Sequence, residues 1–117
     1  MHSNPELVDR VEAATRGWRG LMPRKMFGGM AWMLHGNMCL GVWHDSLVVR
    51  CSPEEWSTHL RKPHVREMDI TGRSMRGWLL VDPPAIRSGE ALAGWLEASR
   101  RFVASLPAKK NASAPER

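Results

Sequence analysis

Leu7, Val8, Val11, Ala14, Thr15 and Trp18 recur at helical spacing near the start of the chain, while Asp9, Arg10, Glu12 and Arg16 fill the rest of the wheel. This pattern predicts an amphipathic helix. Asn4-Pro5-Glu6 ahead of it supplies an N-cap, a proline at the first helical position and an acid at the positive end of the helix dipole. Gly17 to Gly20 ends the helix, and Pro23 pushes Met22 towards extended geometry.

From Arg24 to Cys51 the pattern changes to short apolar runs broken at Gly28-Gly29, His35-Gly36-Asn37 and His44-Asp45-Ser46, which predicts a three-stranded antiparallel meander. Its strands are expected over 25–34, 38–43 and 47–51, with Gly28-Gly29 bending or bulging the first one. In the third strand Arg50 marks the wet face, so Leu47, Val49 and Cys51 point inward. A turn centred on Asp45 then places Cys51 opposite Cys39, Val49 opposite Gly41 and Leu47 opposite Trp43. Met38, Leu40 and Val42 make the other face of the middle strand apolar as well, and that face needs a helix or a second subunit over it.

Ser52-Pro53-Glu54-Glu55 reads as a helix start, with a capping box between Ser52 and Glu55; the helix is short, because Pro63 ends it. Val65 to Ile70 and Met75 to Val81 read as two further strands joined at Thr71-Gly72-Arg73-Ser74, and Asp82-Pro83-Pro84 stops the second. Ser88 caps a long last helix whose Leu92, Trp95, Leu96, Phe102, Val103 and Leu106 form its apolar stripe. The order α-β-β-β-α-β-β-α predicts an α+β domain of two layers, with helices packed on an antiparallel sheet of about five strands.

Four blocks of this chain, Arg24 to Gly29 as RKMFGG, a glycine-centred turn followed by Met38, Gly72 to Trp78 as GRSMRGW, and Ser105 to Lys109 as SLPAK, resemble the TfoX/Sxy competence-regulator family in its N-terminal domain. The likeness runs from the first helix to Lys109. It implies a two-layer fold of the kind also seen in secretion-chaperone-like domains. Two-domain members of the family join this domain to a helical C-terminal domain and act as positive regulators of competence genes in bacteria. The present chain ends where that second domain would begin, so a stand-alone N-terminal domain is expected. The resemblance carries over no catalytic or ligand-binding residue.

Composition narrows the possibilities further. The 117 residues, 43% hydrophobic and 25% charged, suit a single soluble domain. No apolar run approaches the roughly 20 residues of a membrane span. Met1 to Glu6 lacks the basic and apolar regions of a secretory signal, which predicts a cytoplasmic protein. The net charge is +5, but Arg100, Arg101, Lys109, Lys110 and Arg117 against Glu116 place +4 of it at the end of the chain. The domain is therefore expected over 1–106, followed by a disordered basic tail over 107–117.

Candidate chemistry is sparse. Cys39 and Cys51 with His35 and His44 would be the material of a nucleophilic site, yet both cysteines fall on strand positions expected to be buried, where a thiol behaves as a small hydrophobe. No catalytic residue is assigned, and the protein is expected not to be an enzyme. In a reducing cytoplasm the two thiols stay free. The histidines lack metal-ligand spacing and the methionines are interleaved with core residues, so neither a metal nor a cofactor is expected. Arg24, Lys25, Arg61, Lys62, Arg66, Arg73 and Arg76 would make a weak, salt-sensitive phosphate contact for nucleic acid if the fold gathered them. The preferred reading is protein contact, with Met38, Leu40 and Val42 as the interface of a homodimer or of another protein partner; a place in transcription or competence regulation is what the family resemblance implies.

Overall fold

In the computed structural model, which describes residues 3–26, 28–70 and 72–109, the three helices begin at the predicted caps. Helix α1 (Pro5–Ala14) starts at Asn4, whose side chain accepts from the N–H groups of Glu6 and Leu7. Helix α2 (Pro53–Leu60) starts at Ser52 and α3 (Gly89–Val103) at Ser88, which accepts from the Ala91 N–H. The α2 cap differs in one detail. Ser52 pairs with Glu54, whose N–H it accepts at 3.2 Å and whose carboxylate it donates to at 2.7 Å, and not with Glu55.

The sheet has six antiparallel strands in the order β1-β2-β3-β4-β6-β5: β1 (Leu21–Met26), β2 (Gly29–Leu34), β3 (Asn37–Trp43), β4 (Ser46–Arg50), β5 (Val65–Glu67) and β6 (Trp78–Val81). The run expected as one bent strand is two. Met26 pairs with Gly29, so the chain reverses between them; Phe27 lies outside the described residues. Strand β1 begins at Leu21 and contains Pro23, which a sheet tolerates at an edge, where its missing N–H faces no neighbour. The β3–β4 register also differs by one from expectation. Trp43 pairs with Ser46 and Leu40 with Val49 across a two-residue His44-Asp45 turn, with His44 at φ 56, so Cys39 and Cys51 do not face each other and both remain free.

All three helices lie on one face of the sheet. Leu7 and Val11 of α1, Trp56 and Leu60 of α2, and Leu92, Trp95, Leu96 and Val103 of α3 pack on Trp32, Leu34, Leu40, Val42, Leu47, Val49, Leu79 and Val81. Ser99 of α3 fastens the helix to β3 by donating to the Cys39 carbonyl at 2.6 Å, with its oxygen 3.1 Å from the Cys39 sulfur. On the opposite face, Val48 and Leu80 are covered by Met68, Ile70 and Met75 of the β5–β6 connection. Pro107 and Lys109, expected in a disordered tail, hydrogen-bond back to the β2–β3 turn: Asn37 Nδ2 donates to the Pro107 carbonyl at 3.0 Å, and the Lys109 N–H to the His35 carbonyl at 2.8 Å. The rest of that tail, 110–117, lies outside the described residues.

Asp82, just after β6, ties three strands together. It accepts from Arg66 of β5 at 2.8 and 2.9 Å and from Ser46 of β4 at 2.6 Å. The Arg66 contact, more than the Ser46 bond, holds the Asp82 carboxyl below its ordinary pKa against the opposing effect of burial. A depressed folded pKa contributes stability at neutral pH that is lost as pH falls below the unfolded value and through the folded one. Asp82→Asn should therefore lower stability at pH 7 by about 1 kcal/mol, since Arg66 is half exposed. The difference between variant and parent should shrink between about pH 5 and pH 2 in urea titrations. A constant gap across that range would show that the carboxylate charge contributes nothing.

Candidate functional site

The face of the sheet away from the helices is where partly exposed apolar side chains collect. In β2, Trp32 and Leu34 belong to the helix-side core, so Ala31 and Met33 point to the other face. Their partners across β1 are Arg24 and Met22. Strand β3 completes the surface with Met38, opposite Met33, and Gly41, opposite Ala31. Met22, Met33, Met38 and Met26, with Trp43 beside them, thus surround a floor of Ala31, Gly41 and Gly29. The Met38 methyl lies over Gly41, 3.3 Å from where a Cβ would be. Met22 is 65% exposed. The β5–β6 connection covers Val48 and Leu80, and Met38 and Trp43, on the near side of this area, pack against that cluster.

Two residues expected at an interface are absent from this face. Leu40 and Val42 are fully buried in the helix-side core. The cause is an irregularity in the β2–β3 ladder: Trp32 pairs with Leu40 but Met33 with Met38, so Cys39 is an extra residue in β3. A one-residue bulge exchanges the faces of everything beyond it. Met38 alone of the three stays on the open side.

The basic residues are dispersed. Arg24 and Lys25 sit on β1 and Arg66 on β5, at opposite edges of the sheet, five strand spacings or about 24 Å apart. Arg66 is held by Asp82. Lys62 lies 5.0 Å from the Trp95 ring centre and Arg76 5.5 Å from that of Trp56, while Arg61 and Arg73 are exposed. Arg50, expected on the wet face of its strand, is half buried between Trp78 and Phe102, at 5.0 and 5.8 Å. Three of these cations, Arg50, Lys62 and Arg76, lie over tryptophan rings, and the strand order separates Arg24 and Lys25 from the rest.

The thiols are inert. Burial pushes both Cys39 and Cys51 up to about 11, a bond from Ser99 only partly offsetting the effect at Cys39, so both are protonated at neutral pH and poor nucleophiles. His35 and His44 stand at the two ends of β3, in separate turns, far from any shared task with a cysteine.

Two clefts open beside the helices. The larger, of about 490 Å³, runs between α1 and the turn at Pro83–Ile86. Its main polar groups are already bonded: Asn4 donates to Asp45 at 2.9 Å, and Arg10 to the carbonyls of Ile86 and Arg87 at 2.8 and 3.2 Å. The smaller, of about 290 Å³, lies between α2 and α3 and is lined by His59, Lys62, Glu90, Gly94 and Trp95 among others.

Fold and faces together define an α+β domain with one helix-covered and one partly open sheet face. The sequence model of the TfoX N-terminal domain family matches residues 14–103, and the chain belongs to that family. The resemblance first read from RKMFGG and its companion blocks is thereby borne out. No curated protein and no solved structure matches the chain. Among the described residues no helix is long and apolar enough to cross a membrane.

Proposed function

We propose that this domain acts in the cytoplasm without catalysis, as a protein-contact module in the regulation of transcription and of competence genes, and that its working surface is the methionine-lined face of β1, β2 and β3. The observation that carries the reading is the collection of Met22, Met26, Met33 and Met38 around a floor of glycine and alanine, with Met22 65% exposed. Methionine adapts its shape to a partner at small cost, which makes such a surface a protein-binding one. The regulatory part of the proposal rests on family membership, and the absence of catalysis on the protonated, buried thiols.

The size of the face indicates the partner. Three strands of six or seven residues cover about 14 by 20 Å, roughly 300 Å², whereas a stable dimer buries about 800 Å² per subunit. An amphipathic helix, about 10 Å across, fits such a strip for two to three turns. Arg24, set between Met22 and Met26 on the same face, has no acidic partner among the described residues, and it favours a helix with acidic flanks.

The test is a titration of methyl-labelled methionines with a short amphipathic helical peptide carrying leucines and flanking glutamates. Shifts are expected at Met22, Met33 and Met38, with Met68 unmoved, and weaker binding after Met22→Asp or when the flanks are lysines. Light scattering should give a monomer. A stable dimer at micromolar concentration, or a peptide response indifferent to flank charge, would overturn this partner assignment.

A further inference from the structure

The chain holds two kinds of sulfur, and the fold ranks them against their usual order of reactivity. Cysteine ordinarily takes an oxidant first, but only as a thiolate that solvent reaches. Cys39 and Cys51 are 0% and 1% exposed, and burial pushes both up to about 11. At neutral pH they are neither ionised nor accessible.

The thioethers differ widely among themselves. Met68 is 4% exposed and packed with Val48 and Leu80, while Met26, Met33 and Met38 are half-buried. Met22 is 65% exposed, and among the described residues no other large hydrophobic side chain is left so open. Its strand, β1, is an edge of the sheet, so no further strand flanks it on the outer side.

We propose that Met22 is a modification site, where a peroxide converts the thioether reversibly to the sulfoxide and thereby closes the methionine face to its partner. The Met22 sulfur attacks one peroxide oxygen and the O–O bond breaks. That oxygen stays on sulfur, and its proton passes to the leaving hydroxide, which departs as water. Sulfur loses two electrons and the peroxide gains them. The fold tolerates the change at Met22, where the side chain already stands in water; at Met68 the same oxygen would be buried among apolar side chains. Exposure at an edge also leaves the sulfoxide open to thiol-dependent reductases, which makes the change reversible. A partner helix seated on the face would meet a polar group where it had met an adaptable apolar one. Arg24, two residues on along the same face and about 7 Å away by strand geometry, is a donor for the new oxygen, and a guanidinium so engaged is taken from the acidic flank. The modification rests on exposure and thiol burial alone, whereas its effect on binding rests on the contact reading above.

The full chain is exposed to dilute hydrogen peroxide near neutral pH, and each sulfur is followed by mass mapping of its peptides. Met22 sulfoxide should form at least about tenfold faster than Met68 sulfoxide, with both thiols still titratable after unfolding. The fraction oxidised at Met22 alone should melt with the parent and bind the glutamate-flanked helical peptide about tenfold more weakly, the equivalent of one hydrogen bond left unmade. Methionine sulfoxide reductases for both epimers, with dithiothreitol, should restore the affinity. Met22→Leu, whatever its own affinity, should bind equally before and after the same exposure. Oxidation of Cys39, Cys51 or Met68 ahead of Met22, full binding by the fraction oxidised at Met22 alone, or an equal loss of binding by peroxide-treated Met22→Leu would overturn the proposal. A parent chain that takes no peptide before any peroxide overturns the contact reading instead, and the order of oxidation then still decides whether Met22 is the modified site.

Discussion

Leu40→Ala is expected to lower the unfolding free energy by about 3 kcal/mol, the middle of the range for emptying a buried leucine site, and to leave the molecular mass in solution unchanged. Leu40 is 0% exposed and sits in the helix-side core with Trp32, Val49 and the residues of α3. Its neighbours belong to strands fixed by hydrogen bonds on both sides, so they have little freedom to close over the cavity, and the cost should fall in the full range for such changes. Met38→Ala, two residues earlier on the open face, should cost less than about 1 kcal/mol. The pair separates core from contact surface. A loss below about 1 kcal/mol for Leu40→Ala, or a change in mass without a change in stability, would return Leu40 to an interface role. Urea denaturation and light scattering on the same samples decide it.

Gly29→Val should destabilise by about 3 kcal/mol or more, at the upper end of overpacking effects. A Cβ at Gly29 would fall inside the contact distance of the Val42 carbonyl oxygen, and that oxygen is backbone of the neighbouring strand, which cannot rotate away. Gly28 next to it behaves differently. Its φ of +77 is left-handed, but nothing lies within 4 Å of its Cβ position. Gly28→Ala should then cost about 1 to 2 kcal/mol of conformational strain alone, and Gly28→Asn less, because asparagine tolerates that region. If Gly29→Val melts like the parent protein, the close approach of β2 to β3 at this point is wrong.

These two glycines show where local reasoning stops. Adjacent glycines announce an unusual backbone, but a bend, a bulge and a hairpin all use the same residue types. The choice among them rests on what Met26 and Gly29 pair with, which no six-residue window contains. Strand β1 escaped notice for a related reason. Four of its six residues are exposed, so an edge strand with Pro23, Arg24 and Lys25 lacks the alternation that one buried face would impose. The count of about five strands became six for this cause alone.

The contact face was partly visible. Met38 was singled out, but Leu40 and Val42 were placed with it by strict alternation, and the extra residue at Cys39 breaks that alternation. Met22, Met26 and Met33 become its neighbours only through antiparallel pairing. The cationic residues illustrate the reverse case: a cluster needed the fold to bring Arg24 and Lys25 to the segment from Arg61 to Arg76, and the strand order put Arg24 and Arg66 at opposite edges.

What the sequence determined by itself is what short-range physics governs. The caps at Asn4, Ser52 and Ser88, the apolar stripe of α3, the helix-breaking prolines and the α+β class all follow from interactions within a few residues, and the RKMFGG and GRSMRGW blocks carry the family. Tertiary structure alone decided the register of β3 against its neighbours, the face on which each apolar side chain lies, and the pairing of α2 with α3 that leaves a cleft beside His59. Those depend on residues tens of positions apart, His59 and Gly94 among them, and a side-chain period of two turns a single-residue slip into an exchange of inside and outside.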